Sequence, residues 1–182
     1  MRSDARIPSA SQRATNVARR SSKRNIAAFD LGFAAPHRYW AAIVDFPDPN
    51  NFALGKLYTT RFYRLLRSRL TPDAGISVQA TSPMFARNSY WCIMRTLEAA
   101  GFVVKPYYTA VPSFGLWGFA LASASPFEIP AKPPDGLRFL DEQTLAAMFR
   151  LSKDIEPVPV EINRLDNQAL VRYYEGEWRK FE

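Results

Sequence analysis

The stretch Ala41-Ala42-Ile43-Val44-Asp45-Phe46-Pro47-Asp48-Pro49-Asn50-Asn51 joins a short apolar run to two aspartates that lie three residues apart. An apolar run that ends in turn-forming residues is typical of a buried β-strand. Ligands of open parallel sheets bind beyond the carboxyl ends of the strands, where Asp45 and Asp48 would fall. The prolines beside Asp48 fix their own φ angles and stiffen the loop. Two interpretations stay open here: a ligand site, or a strand end at Asp45 with Asp48 starting a turn or capping a helix.

The length and composition are those of an ordinary globular protein. The chain has 182 residues, enough for one domain with a substantial core, and 47% of them are hydrophobic. No run of about 18 apolar residues predicts a membrane span. The single cysteine, Cys92, excludes an internal disulfide and is typical of a reducing compartment, so we expect a cytoplasmic protein. One cysteine and one histidine also argue against a zinc site.

The net charge of +7 is concentrated at the start of the chain. Residues 1–28 carry seven basic residues and one acidic residue, whereas residues 29–182 are close to neutral. This composition predicts a disordered basic leader, with an organellar transit peptide or a non-native start as alternatives. No aromatic residue lies among the basic ones before Phe29, so nothing there would stack on bases. We therefore expect no specific nucleic-acid partner.

Apolar spacing predicts the elements that follow the aspartate loop. Residues 54–70 have apolar positions three and four apart, the pattern of an amphipathic helix. Residues 71–75 are rich in turn formers, and residues 76–80 read as a strand. Residues 40–44 and 76–80 would then be two strands joined by a helix.

A second helix and a strand pair come next. Residues 87–100 are helical by pattern and end before Gly101, the position where a glycine often terminates a helix. Residues 102–108 and 116–123 read as strands, separated by a loop too short to hold a crossover helix. These two strands should therefore form an antiparallel hairpin.

The order of these elements predicts an α/β fold. Strand, helix, strand, helix, strand, strand is half of an open sheet that ends in an antiparallel hairpin. Residues 126–134 read as a linker, and residues 141–151 and 166–181 as two helices packed on the outside of the sheet. The eight glycines do not cluster, and the first 40 residues contain no strand–glycine–helix unit of the kind that binds nucleotides.

Candidate functional side chains converge on the carboxyl edge of this sheet. They are Asp45, Asp48, Gln79, Tyr107, Tyr108, Phe114 and Trp117. Two carboxylates among aromatic rings suit a cationic amine, through charge pairing and cation–π contact. Taken separately, Tyr107, Tyr108 and Trp117 are each more typical of a core than of a site, and Gln79 could simply bond to backbone at the sheet edge. Their convergence with the two aspartates is what favours a site.

Four blocks of the sequence, in order, resemble the polyamine aminopropyltransferases, the spermidine synthase family. They are residues 44–51 (VDFPDPNN), 54–58 (LGKLY), 79–83 (QATSP) and 111–119 (VPSFGLWGF). The resemblance runs from about residue 39 to residue 123. It is strongest toward the bacterial branch in which a membrane-embedded N-terminal half precedes the catalytic domain.

The resemblance implies a sheet like that of the class I methyltransferases. It also implies aminopropyl transfer from decarboxylated S-adenosylmethionine, a co-substrate, to a diamine such as putrescine. In the family the first aspartate of a D-x-x-D loop accepts a proton and the second helps to hold the amine, which map to Asp45 and Asp48. Gln79 matches a glutamine of the amine pocket, and Phe114 lies where better-known members have tyrosine. Phe52 matches a position near the adenosyl group.

The sequence departs from the family upstream of Asp45, where no glycine-rich motif and no acidic ribose-binding residue are found. We therefore expect a catalytic half that keeps the amine side: a leader at 1–28, a partial catalytic domain at 29–125, and a linker with helices at 126–182. Such a chain should be a weakly active or inactive transferase. The alternative is a non-catalytic remnant or basic interaction protein that binds polyamines or anionic partners. The resemblance implies no metal or prosthetic group and leaves a homo-oligomer open.

Overall fold

A computed structural model of the protein describes residues 38–180. The predicted basic leader, residues 1–28, lies outside the described residues. Residues 38–180 form a four-stranded sheet in the order β1-β2-β4-β3. Its strands are β1 (Tyr39–Val44), β2 (Leu70–Gln79), β3 (Val103–Val111) and β4 (Gly115–Ser123). The predicted α/β fold is confirmed.

The pairing of the strands follows the sequence prediction. β1 and β2 are parallel. β3 and β4 form the expected antiparallel hairpin, and β4 returns alongside β2, also antiparallel. Among residues 38–180, no helix is both long and apolar enough to cross a membrane.

The single helix predicted for residues 54–70 is wrong. The chain instead forms α1 (Phe52–Gly55), a 3₁₀ turn (Lys56–Tyr58) and α2 (Thr60–Ser68). The break occurs at Thr59, whose backbone is extended, with φ −88° and ψ 159°, and whose side chain accepts a hydrogen bond from the amide of Phe62 at 3.3 Å. A threonine in that role is a good N-cap, so it starts a new helix within a continuous apolar pattern.

The turn predicted after that helix is instead an irregular part of β2. Tyr39 of β1 pairs with Leu70 of β2, and Ala41, two residues later, pairs with Gly75, five residues later. β2 therefore contains extra residues at this point. A bulge takes up extra residues without reversing the chain, and it tolerates Pro72, which has no amide hydrogen for the ladder.

Alternation along the strands divides the sheet into two faces. One face is buried against α2 and α3 (Arg87–Ala99), and its side chains include Ala42, Val44, Ile76, Val78, Ala120 and Ala122. The opposite face carries partly exposed side chains such as Ser77, Gln79 and Phe119. Because successive side chains of a strand point to opposite faces, the apolar set fixes which residues remain available on the second face.

The helices after the sheet are shorter than predicted. They are α4 (Glu142–Met148) and α5 (Ala169–Trp178). Phe149, just after α4, lies 5.2 Å from the ring of Tyr107 in β3, so this region covers part of the open face. α5 packs against α3 rather than directly on the sheet. α5 therefore forms a second layer beyond α3, whereas α4 lies beside β3.

Candidate functional site

The aspartate loop is held in place by a buried tyrosine. Tyr58 is 1% exposed, and its hydroxyl reaches the carbonyl oxygens of Phe46 at 3.1 Å and Pro47 at 3.0 Å. The cap of α1 is Asn51, whose side chain accepts from the amide of Leu54 at 3.0 Å. Asp48 therefore does not cap this helix, and its carboxylate can make other contacts.

A cavity of about 650 Å³ lies on the open face of the sheet, beside the carboxyl ends of β1 and β2. Its lining brings together five of the residues singled out from the sequence: Asp45, Asp48, Gln79, Phe114 and Trp117. Asp45 is exposed to solvent and Asp48 is half-buried. The rings of Phe114 and Trp117 lie 5.2 Å apart and form one wall. Two carboxylates therefore share this cavity with aromatic side chains.

Tyr108 does not line this cavity, which corrects the expectation that it meets the aspartates. In β3 it is paired with Gly118, one position out of phase with the Tyr107–Phe119 pair whose rings stack on the open face at 5.3 Å. Alternation therefore sends Tyr108 to the other face. Its hydroxyl donates to the carbonyl oxygen of Arg150 at 3.2 Å.

Phe52 is also outside the lining of the cavity. Its side chain is 54% exposed, and the ammonium of Lys56 lies 4.6 Å from the centre of its ring. Both residues lie in the short helical segment that follows the loop. The assignment of Phe52 to an adenosyl group therefore stays a prediction.

The amide of Gln79 connects the loop to the hairpin. Its nitrogen donates to the carbonyl oxygen of Phe46 at 2.7 Å, and its oxygen accepts from the indole nitrogen of Trp117 at 2.8 Å. The orientation follows from chemistry, because an indole N–H only donates and a carbonyl only accepts. The amide oxygen of Gln79, which accepts from Trp117, also lies 3.4 Å from Oδ1 of Asp48. Two acceptor oxygens thus lie side by side, an arrangement that suits a ligand with several N–H donors.

The other oxygen of Asp48 is engaged by a residue that the sequence analysis missed. The hydroxyl of Tyr174, in α5, donates to Oδ2 of Asp48 at 2.9 Å. Burial raises the pKa of the Asp48 carboxyl above its ordinary value, and the hydrogen bond from Tyr174 opposes this rise. Tyr174 follows Tyr173 in a helix, a pattern that indicates core packing, so no local signal pointed to it.

α5 is fixed against α3 by a buried carboxylate. The N-cap of α3, Ala86, has no side chain that could accept a hydrogen bond. Glu177 supplies that acceptor, from the amides of Asn88 at 2.6 Å and Ser89 at 3.1 Å and from the Ser89 hydroxyl at 2.7 Å. A carboxylate at a helix N-terminus is stabilised by the free amides and by the helix dipole. This contact sets the position from which Tyr174 reaches Asp48.

Replacing Tyr174 with phenylalanine should raise the pKa of Asp48 further, because a hydrogen bond that favours the charged carboxylate is lost while burial remains. Because the pKa of Asp48 is higher in the folded protein than in the unfolded chain, the contribution of Asp48 to stability is greatest below the unfolded pKa. This contribution is lost as the pH rises through the folded pKa. NMR titration of the Asp48 carboxyl carbon measures the shift. Tyr108→Phe removes a hydroxyl on the other face and should leave that pKa unchanged. Equal titration curves for both variants would show that the Tyr174 hydroxyl does not act on Asp48.

Comparison with known proteins gives consistent matches. Residues 24–132 match the family model described as the spermine/spermidine synthase domain. The polyamine aminopropyltransferase of Leptospira interrogans serogroup Icterohaemorrhagiae serovar copenhageni (strain Fiocruz L1-130) is 51% identical over 138 residues, which cover 76% of this chain and 28% of that protein. Polyamine aminopropyltransferase 2 of Ralstonia nicotianae (strain ATCC BAA-1114 / GMI1000) is 53% identical over 142 residues, 75% of this chain and 27% of that protein. The chain therefore spans little more than a quarter of the length of these relatives.

Solved structures show the same fold. Spermidine synthase from Thermotoga maritima matches with a TM-score of 0.52 at 23% identity, over 65% of this chain and 44% of that chain. A spermidine synthase in complex with the transition state analogue AdoDATO matches with a TM-score of 0.55, also at 23% identity, over 65% of this chain and 45% of that chain. The resemblance drawn from the sequence blocks is confirmed by the family model and the curated relatives. By the match of residues 24–132 and these identities, the chain belongs to the spermine/spermidine synthase domain family.

Proposed function

We propose that residues 38–180 form the amine-binding and proton-accepting part of a polyamine aminopropyltransferase. The reaction would move an aminopropyl group from decarboxylated S-adenosylmethionine to a diamine such as putrescine. The observation that carries this proposal is the pair of carboxylates, Asp45 and Asp48, fixed on a loop beside a cavity with aromatic walls. The names of the relatives, polyamine aminopropyltransferases, support it.

In this proposal Asp48 holds the amine. An ammonium group can donate to Oδ1 of Asp48 and to the neighbouring amide oxygen of Gln79, 3.4 Å away, while Tyr174 occupies Oδ2. The rings of Phe114 and Trp117 would lie against the carbon chain and attract its positive end through cation–π contact. Phe114 offers a ring and no hydroxyl, so recognition on that wall is by shape and charge.

Asp45 would accept the proton that makes the amine nucleophilic. A primary amine with a reference pKa of about 10.4 is neutral in roughly one molecule in 2,500 at pH 7, which costs about 4.6 kcal/mol. A nearby carboxylate lowers this cost by taking the proton as the nitrogen attacks. The nitrogen forms a bond to the aminopropyl carbon beside the sulfonium. The bond from that carbon to sulfur breaks, and its electron pair stays on sulfur as a neutral thioether.

Within residues 38–180, the cavity beside the aspartates includes no candidate for binding the adenosyl group of the donor. Among the described residues, the one candidate for the adenosyl group, Phe52, is exposed and outside the cavity. The 182-residue chain alone would then transfer weakly or not at all, since it aligns with little more than a quarter of the length of its relatives. Binding of polyamines without transfer is the alternative. A cytoplasmic location belongs to the same proposal, supported by the free and buried thiol of Cys92.

Calorimetry on the 182-residue chain should detect saturable binding of putrescine and much weaker binding of 1,4-butanediol, which has the same shape without charge. Because the chain carries a net charge of +7, attraction to its net charge would not explain binding of a dication. Asp48→Asn should weaken putrescine binding by at least about tenfold, because a hydrogen bond to a charged group is lost. 5′-Methylthioadenosine should bind poorly.

Two results would contradict this account. Equal binding of putrescine and butanediol would overturn the assignment of the cavity to an amine. A micromolar dissociation constant for 5′-methylthioadenosine would show that the chain binds the adenosyl group well, and would contradict the expected weak binding of the donor.

A further inference from the structure

A second cavity, of about 320 Å³, lies at the opposite end of the sheet from the aspartate loop. It is formed where α2 ends and β2 begins, next to the end of α3 and the residues after β4. Its lining includes three arginines, Arg38, Arg64 and Arg67, and no carboxylate. The family chemistry described above makes no use of this region.

The positive charge of this cavity is not neutralised within the described part of the chain. No carboxylate of residues 38–180 forms an ion pair with any of the three arginines. Arg64 donates one hydrogen bond, to the carbonyl oxygen of Ala99 at 3.3 Å. A guanidinium carries five N–H donors, so most of the donors around the cavity are available to a ligand.

The ends of two helices explain only part of this charge. Arg64 and Arg67 lie in α2 close to its C-terminus, and Arg64 also contacts the last turn of α3. Basic side chains at such positions offset the negative end of a helix dipole, which amounts to about half a unit charge per helix. Two helix ends therefore offset about one of the three positive charges, and a surplus of about two remains.

The hydroxyls that the described residues contribute to the lining add no free donor. Two of them donate to backbone, from Ser68 to Leu65 at 2.7 Å and from Ser125 to Pro72 at 2.7 Å. Oγ1 of Thr71 is buried away from the open volume of the cavity. The guanidinium groups of the three arginines are therefore the side-chain donors that remain for a ligand.

We propose that this cavity binds a small phosphate-bearing anion, either inorganic diphosphate or the phosphate chain of a nucleotide. The planar fork of guanidinium matches the oxygens of phosphate in bidentate pairs, and an anion with more than one charge matches the surplus at the site. The volume lies within the range of small-ligand pockets. The proposal is independent of the aminopropyl transfer proposed above.

Calorimetry at about 0.15 M NaCl tests it with the full 182-residue chain and two probes, inorganic diphosphate and ATP. The double variant Arg64→Gln/Arg67→Gln should bind diphosphate at least about tenfold more weakly, because charged hydrogen bonds are lost. The matched control, Arg61→Gln/Arg150→Gln, removes the same charge from exposed positions outside the cavity. It should change the affinity by less than about twofold. Equal affinities for the two probes would identify the phosphate groups as the recognised part, and tighter ATP binding would identify a nucleotide.

The control also separates the cavity from the basic residues 1–28. Equal weakening in the two double variants would show diffuse charge attraction and would overturn the proposal, as would the absence of saturable binding in the wild type. If Arg64→Gln/Arg67→Gln does not unfold cooperatively, Arg38→Gln carries the test. It should weaken diphosphate binding by at least about threefold, and an unchanged affinity would reject the site.

Discussion

Replacing Asp45 with asparagine should lower kcat for aminopropyl transfer by about 10²–10⁴-fold while the protein stays folded. Asparagine keeps the shape of the side chain and removes its negative charge and its ability to accept a proton. Since the proton leaves the amine only as the new bond forms, the loss should fall on kcat at saturating amine. The exposed position of Asp45 predicts little change in stability.

The measurement needs a complete donor side. A chimera meets this need, in which residues 38–180 replace the equivalent part of the Leptospira interrogans polyamine aminopropyltransferase, to which the chain is 51% identical. Raising the pH from 7 to 10 should partly restore Asp45→Asn, because more of the amine is then already neutral. Asp48→Asn in the same chimera should act mainly on the KM for the amine and gain little from higher pH, since a residue that only holds the cation stabilises ground and transition states alike.

The competing interpretation of Asp45, as a residue that merely ends a strand, predicts the reverse. Asp45→Asn would then lower the melting temperature and leave turnover nearly normal in the molecules that fold. If the fully folded variant turns over within a few-fold of the wild-type chimera, Asp45 is not the proton acceptor. An inactive wild-type chimera would count against the proposed function itself.

Local patterns were enough to predict the part of the fold that holds the loop. β1 followed from an apolar run bounded by turn formers, α3 from apolar spacing ending at Gly101, and the hairpin from a connection too short for a helix. Each is a short-range property, because hydrogen bonds and side-chain periodicity within an element depend on neighbouring residues. The two wrong predictions have a related cause. Thr59 and the bulge before Gly75 interrupt local patterns that continue on both sides, so the patterns alone did not reveal the interruptions.

The candidate site was only partly predictable, for two different reasons. The position of Tyr108 could have been corrected from the sequence, because alternation along a strand places it opposite Tyr107. Tyr174 could not have been found in this way. It is 126 residues from Asp48, and its contact depends on how α5 packs on α3. Contacts at such separations follow from tertiary packing, for which a single sequence carries no local signal.

The packing of α5 depends on Glu177, and Glu177→Gln should lower the free energy of unfolding by about 2–4 kcal/mol. The carboxylate accepts three hydrogen bonds from the start of α3 and is 8% exposed. Glutamine has one acceptor oxygen, so its NH₂ group would face amide or hydroxyl donors of Asn88 and Ser89. The charge that favours the positive end of the helix is lost as well. Thermal denaturation should show a melting temperature lower by roughly 5–15 °C.

Glu175→Gln is the matched control, because Glu175 is an exposed carboxylate of the same helix and should change stability by less than about 0.5 kcal/mol. A second readout connects the cap with the site. If Glu177 holds α5 in register, its loss should weaken the hydrogen bond from Tyr174 to Asp48, so NMR titration should show a raised Asp48 pKa in Glu177→Gln and no change in Glu175→Gln. A destabilised variant with an unchanged Asp48 pKa would mean that Glu177 caps α3 without positioning Tyr174. Equal stability of the two variants would contradict the capping role altogether.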